Sequence, residues 1–131
     1  MIVADTTLLI DFLRGKKEAI DILQNTQSKG LYTTEINLFE LIIGTYAKKQ
    51  EPEKDVEKIF AMLAQFIVLP LERRATIKAG EIAGTLIKRG QQIEQTDVLI
   101  AAIALTNGIS EIITANKAHY ERIPGIKVVG Y

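Results

Sequence analysis

Asp5, Glu40 and Asp97 are the residues best placed to do chemistry in this sequence, because each bounds or interrupts an apolar stretch. Asp5 follows Ile2-Val3-Ala4, which reads as a buried strand. Ligands of an open parallel sheet bind outside the carboxyl ends of its strands, so a polar residue just past a strand is a candidate site residue. The same reasoning marks Thr114 and Asn116, which follow Ile112-Ile113. Asp97 opens the apolar helix that begins Val98-Leu99-Ile100. Glu40 has Ile36 four residues before it and Ile43 three after, which predicts a carboxylate on the apolar stripe of its own helix. Each also has an ordinary structural explanation. Asp5 could be a helix N-cap, Asn116 a turn residue and Asp97 an acid favoured by the helix dipole, while Glu40 could pair with a buried lysine or arginine.

If the three carboxylates converge, their charges repel, and at least one should hold a proton unless a cation neutralises them. A divalent metal resolves that conflict. With no cysteine and one histidine in the chain, an all-oxygen ligand set favours Mg²⁺ or Mn²⁺ over zinc. Such ions act on phosphate esters by activating a water and stabilising charge on the phosphate oxygens.

The elements that must position these residues alternate between strand and helix. Leu8, Leu9, Phe12 and Leu13 predict a first helix that Gly15 stops; Ala19, Ile20, Ile22 and Leu23 predict a second over 17–29, with Gly30 at its C-cap. Leu31-Tyr32-Thr33 reads as a strand. Thr34 is the expected N-cap of a helix to about Lys49, its face carrying Ile36, Phe39, Glu40, Ile43 and Ala47. Pro52 starts a fourth helix, and a strand over 66–69 is closed by Pro70. A helix is expected over 71–88, weakened by Gly80 and Gly84, and another from Thr96-Asp97 to about Leu105. Strands at 111–114 and 127–129 complete the series. Strands separated by helices imply an α/β fold: a three-layer α/β/α arrangement with a mostly parallel central sheet of about four to five short strands.

The 131 residues fit one domain, 1–131. Hydrophobic residues make up 47% and charged residues 24%, which is enough for a core and a surface and argues against disorder. Sixteen basic and sixteen acidic residues cancel, which excludes a polybasic grip on nucleic acid while allowing a local basic face. The paired basics Lys16-Lys17, Lys48-Lys49, Arg73-Arg74 and Lys88-Arg89 are expected on solvated faces. Zero cysteine removes disulfides and thiol nucleophiles, and it suits a reducing compartment. The first residues, Met1-Ile2-Val3-Ala4-Asp5, do not look like a signal peptide. The longest apolar run, Val98 to Leu105, falls well short of the roughly 20 residues that span a bilayer. A cytoplasmic protein is the expectation.

Four stretches taken in order resemble the motifs of the PIN-domain family. They are Asp5 after the first strand, Thr33-Thr34-Glu35-Ile36-Asn37-Leu38-Phe39-Glu40-Leu41-Ile42-Ile43-Gly44, Thr96-Asp97-Val98-Leu99-Ile100-Ala101-Ala102, and Thr114-Ala115-Asn116-Lys117-Ala118-His119-Tyr120-Glu121-Arg122-Ile123-Pro124-Gly125-Ile126-Lys127-Val128. The resemblance covers essentially the whole chain, in the single-domain layout of the VapC-like toxins of type II toxin–antitoxin systems. It implies a PIN-like fold and a Mg²⁺-dependent ribonuclease in which Mn²⁺ substitutes. Asp5, Asp97 and Glu40 would bind the metal, with Glu40 holding it or orienting its water, and Asn116 would complete the site by hydrogen bonding or through a coordinated water. It further implies products with a 3′-hydroxyl and a 5′-phosphate, a cognate VapB-like antitoxin and a homodimer. Leu38, Leu41, Ile42, Tyr46 and Met62 would suit a helix-packed interface as well as a core.

The sequence departs from the family pattern in its fourth motif. Many members carry an acid at the position of Asn116 or three residues later, where this chain has His119. A second metal would then be held more weakly, and a PIN fold that binds RNA or protein without cutting becomes the alternative. His119 could contact phosphate or donate a proton, and the hydroxyls of Thr6 and Thr114 could orient ligands. Other folds with an aspartate after the first strand fit poorly. A haloacid-dehalogenase phosphatase needs an acid where Thr7 stands, and a receiver domain needs an aspartate where Pro70 stands. No phosphate-cradling glycine loop is present in the sequence.

Overall fold

The computed structural model describes residues 1–48 and 50–131. Five strands, β1 (Ile2–Ala4), β2 (Leu31–Thr34), β3 (Ile67–Leu69), β4 (Glu111–Ile113) and β5 (Lys127–Val129), form one parallel sheet in the order β3-β2-β1-β4-β5. Parallel neighbours require crossovers. Here these are α1 (Thr6–Leu13) and α2 (Lys17–Thr26), then α3 (Glu35–Ala47) and α4 (Pro52–Leu63), then α5 (Arg73–Lys88) and α6 (Gln95–Thr106), and last α7 (Lys117–Glu121). The three-layer α/β architecture expected from the sequence is therefore present.

Alternation along the strands divides the core in two. Val3 and Ile112 face a cluster with Ile82, Leu86, Ile100 and Ala101 of α5 and α6. Ile2, Ala4 and Ile113 face the other way, onto Leu8, Leu9, Leu41, Ile59 and Met62. α6 is enclosed almost completely, with Val98 and the run Ile100 to Ala104 all buried. Among the described residues no helix is long and apolar enough to cross a membrane.

Thr34 caps α3 as expected, accepting from the N–H groups of Ile36 and Asn37 in a reciprocal capping box. Gly30 holds φ at 83°, the left-handed turn that admits β2. α5 begins at Arg73 rather than at residue 71. It runs unbroken through Gly80 and Gly84, since both face open space and tertiary packing of Ala75, Ala79, Ile82 and Leu86 holds the helix. The expected helix end near Lys49 lies outside the described residues, and α3 closes at Ala47.

The face of α3 differs from expectation. Its buried residues are Asn37, Leu41 and Thr45, whereas Phe39 and Ile43 are 57% and 49% exposed. Apolar residues surround this helix on nearly every side, so their spacing could not say which side packs. The premise that Glu40 shares a buried stripe with Ile43 is corrected accordingly; Glu40 is half-buried at the edge of the packed face.

Candidate active site

The order of strands creates the site. From β1 the chain first winds outward to β2 and β3, and later returns to the other side of β1 with β4. The crevice between the carboxyl ends of β1 and β4 is the point where the winding reverses, the usual ligand position in such sheets. Asp5 leaves β1 there and Thr114 leaves β4, joined by the Asp5 N–H donating to the Ile113 carbonyl at 3.0 Å.

Asp5 is 2% exposed and stands at the N-cap position of α1, yet its side chain makes no capping bond. Its carboxylate turns toward the crevice. Thr114 Oγ1 donates to Oδ2 at 2.6 Å, while Asn37 Nδ2 and the Tyr120 hydroxyl donate to Oδ1 at 3.2 and 3.1 Å. Asp97, in the first turn of α6, is 4% exposed and meets the same Tyr120 hydroxyl at 3.3 Å through its Oδ1. His119 Nδ1 lies 2.6 Å from Asp97 Oδ2. One proton must sit between that pair, on the imidazole or on the carboxyl, because two bare acceptors would not approach so closely.

Glu40 joins the site from α3 as acceptor of the Thr6 hydroxyl at 2.6 Å, and Thr6 accepts in turn from Asn37 at 3.0 Å. Glu40 also lines a cavity of about 280 Å³ between α1, α3 and α4, together with Ile10, Arg14, Leu41, Lys58 and Ile59 among others. The cavity adjoins the crevice at Glu40 and does not cover Asp5 or Asp97. Asn116 starts α7 beside Thr114, to which its backbone N–H donates at 2.9 Å. Its side chain is exposed and forms no hydrogen bond among the described residues.

Of the sequence candidates, the fold thus gathers Asp5, Glu40 and Asp97 together with Thr6, Thr114 and His119, and leaves the Asn116 side chain at the rim. Asn37 and Tyr120 were not singled out by the sequence. Asn37 carries a readable signal, lying three residues after Thr34 in a capping box. Tyr120 has none, standing in the mostly polar segment Lys117-Ala118-His119-Tyr120-Glu121-Arg122 with nothing to mark it as buried.

Burial dominates the electrostatics. It pushes the carboxyl of Asp5 above its ordinary value, helped by the charge of Asp97, while hydrogen bonds from Thr114, the Thr6 N–H and Tyr120 pull it back. Asp97 is likewise raised, first by burial and then by Glu40 and Glu94, against the opposing pull of His119. Burial and the two neighbouring aspartates push the Tyr120 phenol well above its usual range, so it stays protonated and donates. Among the described residues no lysine or arginine forms an ion pair with Asp5, Glu40 or Asp97. The conflict of charge is therefore relieved only by neutral donors and one histidine.

A hard divalent cation fits this donor set. Also among the described residues, no three histidine, aspartate or glutamate side chains stand close enough to encage an ion. Mg²⁺ asks for less, since it keeps several waters and is commonly held by one or two carboxylates plus substrate phosphate oxygens. Asp5 and Asp97 supply two.

The PIN-domain model matches residues 2–125. The tRNA(fMet)-specific endonuclease VapC of Salmonella typhimurium strain LT2 is 30% identical over 124 residues, which are 95% of this chain and 92% of that protein. Ribonuclease VapC1 of Rickettsia felis is 30% identical over 130 residues, covering 98% of this chain and 94% of the relative. The crystal structure of DNA-bound VapBC from Salmonella typhimurium contains a chain that superposes with a TM-score of 0.87 at 29% identity, over 98% of this chain and 96% of the other. A likeness that runs nearly end to end in both sequence and backbone leaves one conclusion: the chain belongs to the PIN-domain family, among its VapC-like members.

Proposed function

We propose that this chain is a Mg²⁺-dependent endoribonuclease of the VapC type, active also with Mn²⁺, that hydrolyses RNA phosphodiester bonds. The observation that carries the reading is the pair Asp5 and Asp97, buried side by side at the sheet's reversal point, both hydrogen-bonded to Tyr120, with raised protonation and, among the described residues, no lysine or arginine paired to either. The full-length ribonuclease relatives support the same chemistry. A bound Mg²⁺ would supply charge neutralisation on the phosphate and an activated water.

The remaining work belongs to the chain's own groups. Asp5 and Asp97 hold the ion, with Thr114 and Asn37 keeping the Asp5 carboxylate in one orientation. Glu40 uses Oε1 to accept from Thr6, which leaves Oε2 as the acceptor that orients the attacking water. His119, a third exposed beside Asp97, is within reach of the crevice mouth to hand a proton to the departing 3′-oxygen. Asn116 at the rim completes the site through a water. The products carry a 3′-hydroxyl and a 5′-phosphate. A VapB-like antitoxin restrains the enzyme, which works as a homodimer in the cytoplasm where its RNA is found.

Cleavage of a mixed RNA pool by the purified chain in Mg²⁺ or Mn²⁺, against EDTA and Asp97→Asn, tests the reading. Cutting should vanish in both controls. Cutting that survives Asp97→Asn refutes the assigned site. The replacement of a fourth-motif acid by Asn116 and His119 favours one competing reading, a PIN fold that binds RNA or protein without cutting. That reading takes over if the wild type binds RNA yet cuts in neither metal. Growth arrest on expression, relieved by co-expression of the antitoxin, tests the partnership.

A further inference from the structure

Tyr120 is fully buried in the cluster formed by Val98, Ile100, Ile112 and Ile123, where a phenylalanine ring would pack as well. Its single polar atom does something the ring does not. The hydroxyl reaches out of the apolar cluster to Asp5 Oδ1 at 3.1 Å and Asp97 Oδ1 at 3.3 Å. Thr114 and Asn37 touch only the first of these acids, and His119 only the second. Among the described residues Tyr120 is therefore the one group hydrogen-bonded to both.

Asp5 comes from the end of β1 and Asp97 from the start of α6, so backbone geometry alone does not fix the spacing of their carboxyl groups. Left to themselves the two would turn apart, because like charges repel. A phenol carries one proton, so a single hydroxyl bridges the two Oδ1 atoms either by sharing that proton between two carboxylates or by donating to one and accepting from the other while that acid is protonated. Being fully buried, it approaches the pair from the core side. We propose that Tyr120 is a positioning residue whose hydroxyl holds the Asp5 and Asp97 carboxylates as one preset seat for a divalent cation. This rests on the metal-dependent reading given above.

The test is Mn²⁺ binding without RNA, followed by the electron paramagnetic resonance of free Mn²⁺, for the wild type, Tyr120→Phe and Asp97→Asn. Tyr120→Phe should keep the far-ultraviolet circular dichroism of the wild type and raise the Mn²⁺ Kd by about 10- to 100-fold, the usual effect of losing a group that orients a metal ligand. A role in packing alone would move the melting temperature and leave the Kd in place. Binding by Tyr120→Phe that is as tight as wild type, or tighter, overturns the proposal. Failure of the wild type to bind more Mn²⁺ than Asp97→Asn is a different result; it overturns the metal-dependent reading and this inference with it. If Tyr120→Phe does not fold, wild-type chain labelled at the tyrosine ζ-carbon carries the test. Saturating Mg²⁺ should then shift the Tyr120 resonance and leave those of Tyr32 and Tyr46 in place, and an unmoved Tyr120 resonance overturns the proposal.

Discussion

Two helices bring an acid to the crevice, and they hold it in different ways. α6 is buried on nearly every side, and its Asp97 is locked between Tyr120 and His119 with its protonation raised. α3 buries one narrow face and leaves Phe39, Ile43 and Tyr46 in solvent; among the described residues its half-buried Glu40 is tied to Thr6 alone, and it lines a cavity. An acid carried on a core helix cannot move without disturbing the core, so it suits a fixed ligand. An acid on a rim helix can adjust to a water or a substrate. Under the proposed mechanism it is packing, not residue type, that separates a ligand at Asp97 from an adjustable acceptor at Glu40.

The comparison breaks most directly in catalysis. Asp97→Asn should reduce cleavage to the level seen in EDTA, whereas Glu40→Gln should leave a metal-dependent remainder lowered by about 10- to 100-fold. Equal losses in single-turnover assays would erase the distinction. The same contrast should appear in stability. Ile100→Ala, inside α6, should cost about 2–5 kcal/mol, and Ile43→Ala, on the open face of α3, no more than about 0.5 kcal/mol by urea denaturation.

Acidity sharpens the contrast further. Asp5 and Asp97 are both raised above the ordinary carboxylate value of 3.8, so the folded chain binds their protons more tightly than the unfolded chain does. The stability from these protons is complete below pH 3.8 and is lost as pH rises through the raised values. In EDTA the melting temperature should therefore carry a downward contribution across that window, and Asp97→Asn should flatten it. Asp11 works in the opposite sense. Its hydrogen bond from Tyr131, followed by that from Lys16, holds it below the ordinary value, so its contribution is lost as pH falls. A modest effect, between those of Ile100→Ala and Ile43→Ala, is expected at the start of α3, where Thr34→Ala removes the cap and should cost about 1 kcal/mol in the same denaturation measurement.

Much of this arrangement is legible from the sequence because it depends on local order. The acids after β1 and at the start of α6 stand out against apolar runs, and Thr34 announces its helix through the residues it caps. The orientation of α3 is not legible, since Leu38, Phe39, Leu41, Ile42 and Ile43 place apolar side chains around most of its circumference. The partners of Asp5 are hidden for another reason. Asn37, Thr114 and Tyr120 lie 32, 109 and 115 residues away along the chain, and although a cap marks Asn37 and a strand end marks Thr114, nothing local says that their atoms reach Asp5.

The sequence by itself determined the alternation of short strands and helices and the identity of the acids, because periodicity, capping and polar interruptions act within a few residues. Only the tertiary structure decided that β4 lies beside β1, which side of α3 is buried and that one tyrosine hydroxyl bridges two aspartates. Those outcomes follow from which apolar faces find each other across the sheet, a competition among distant segments that no local pattern records.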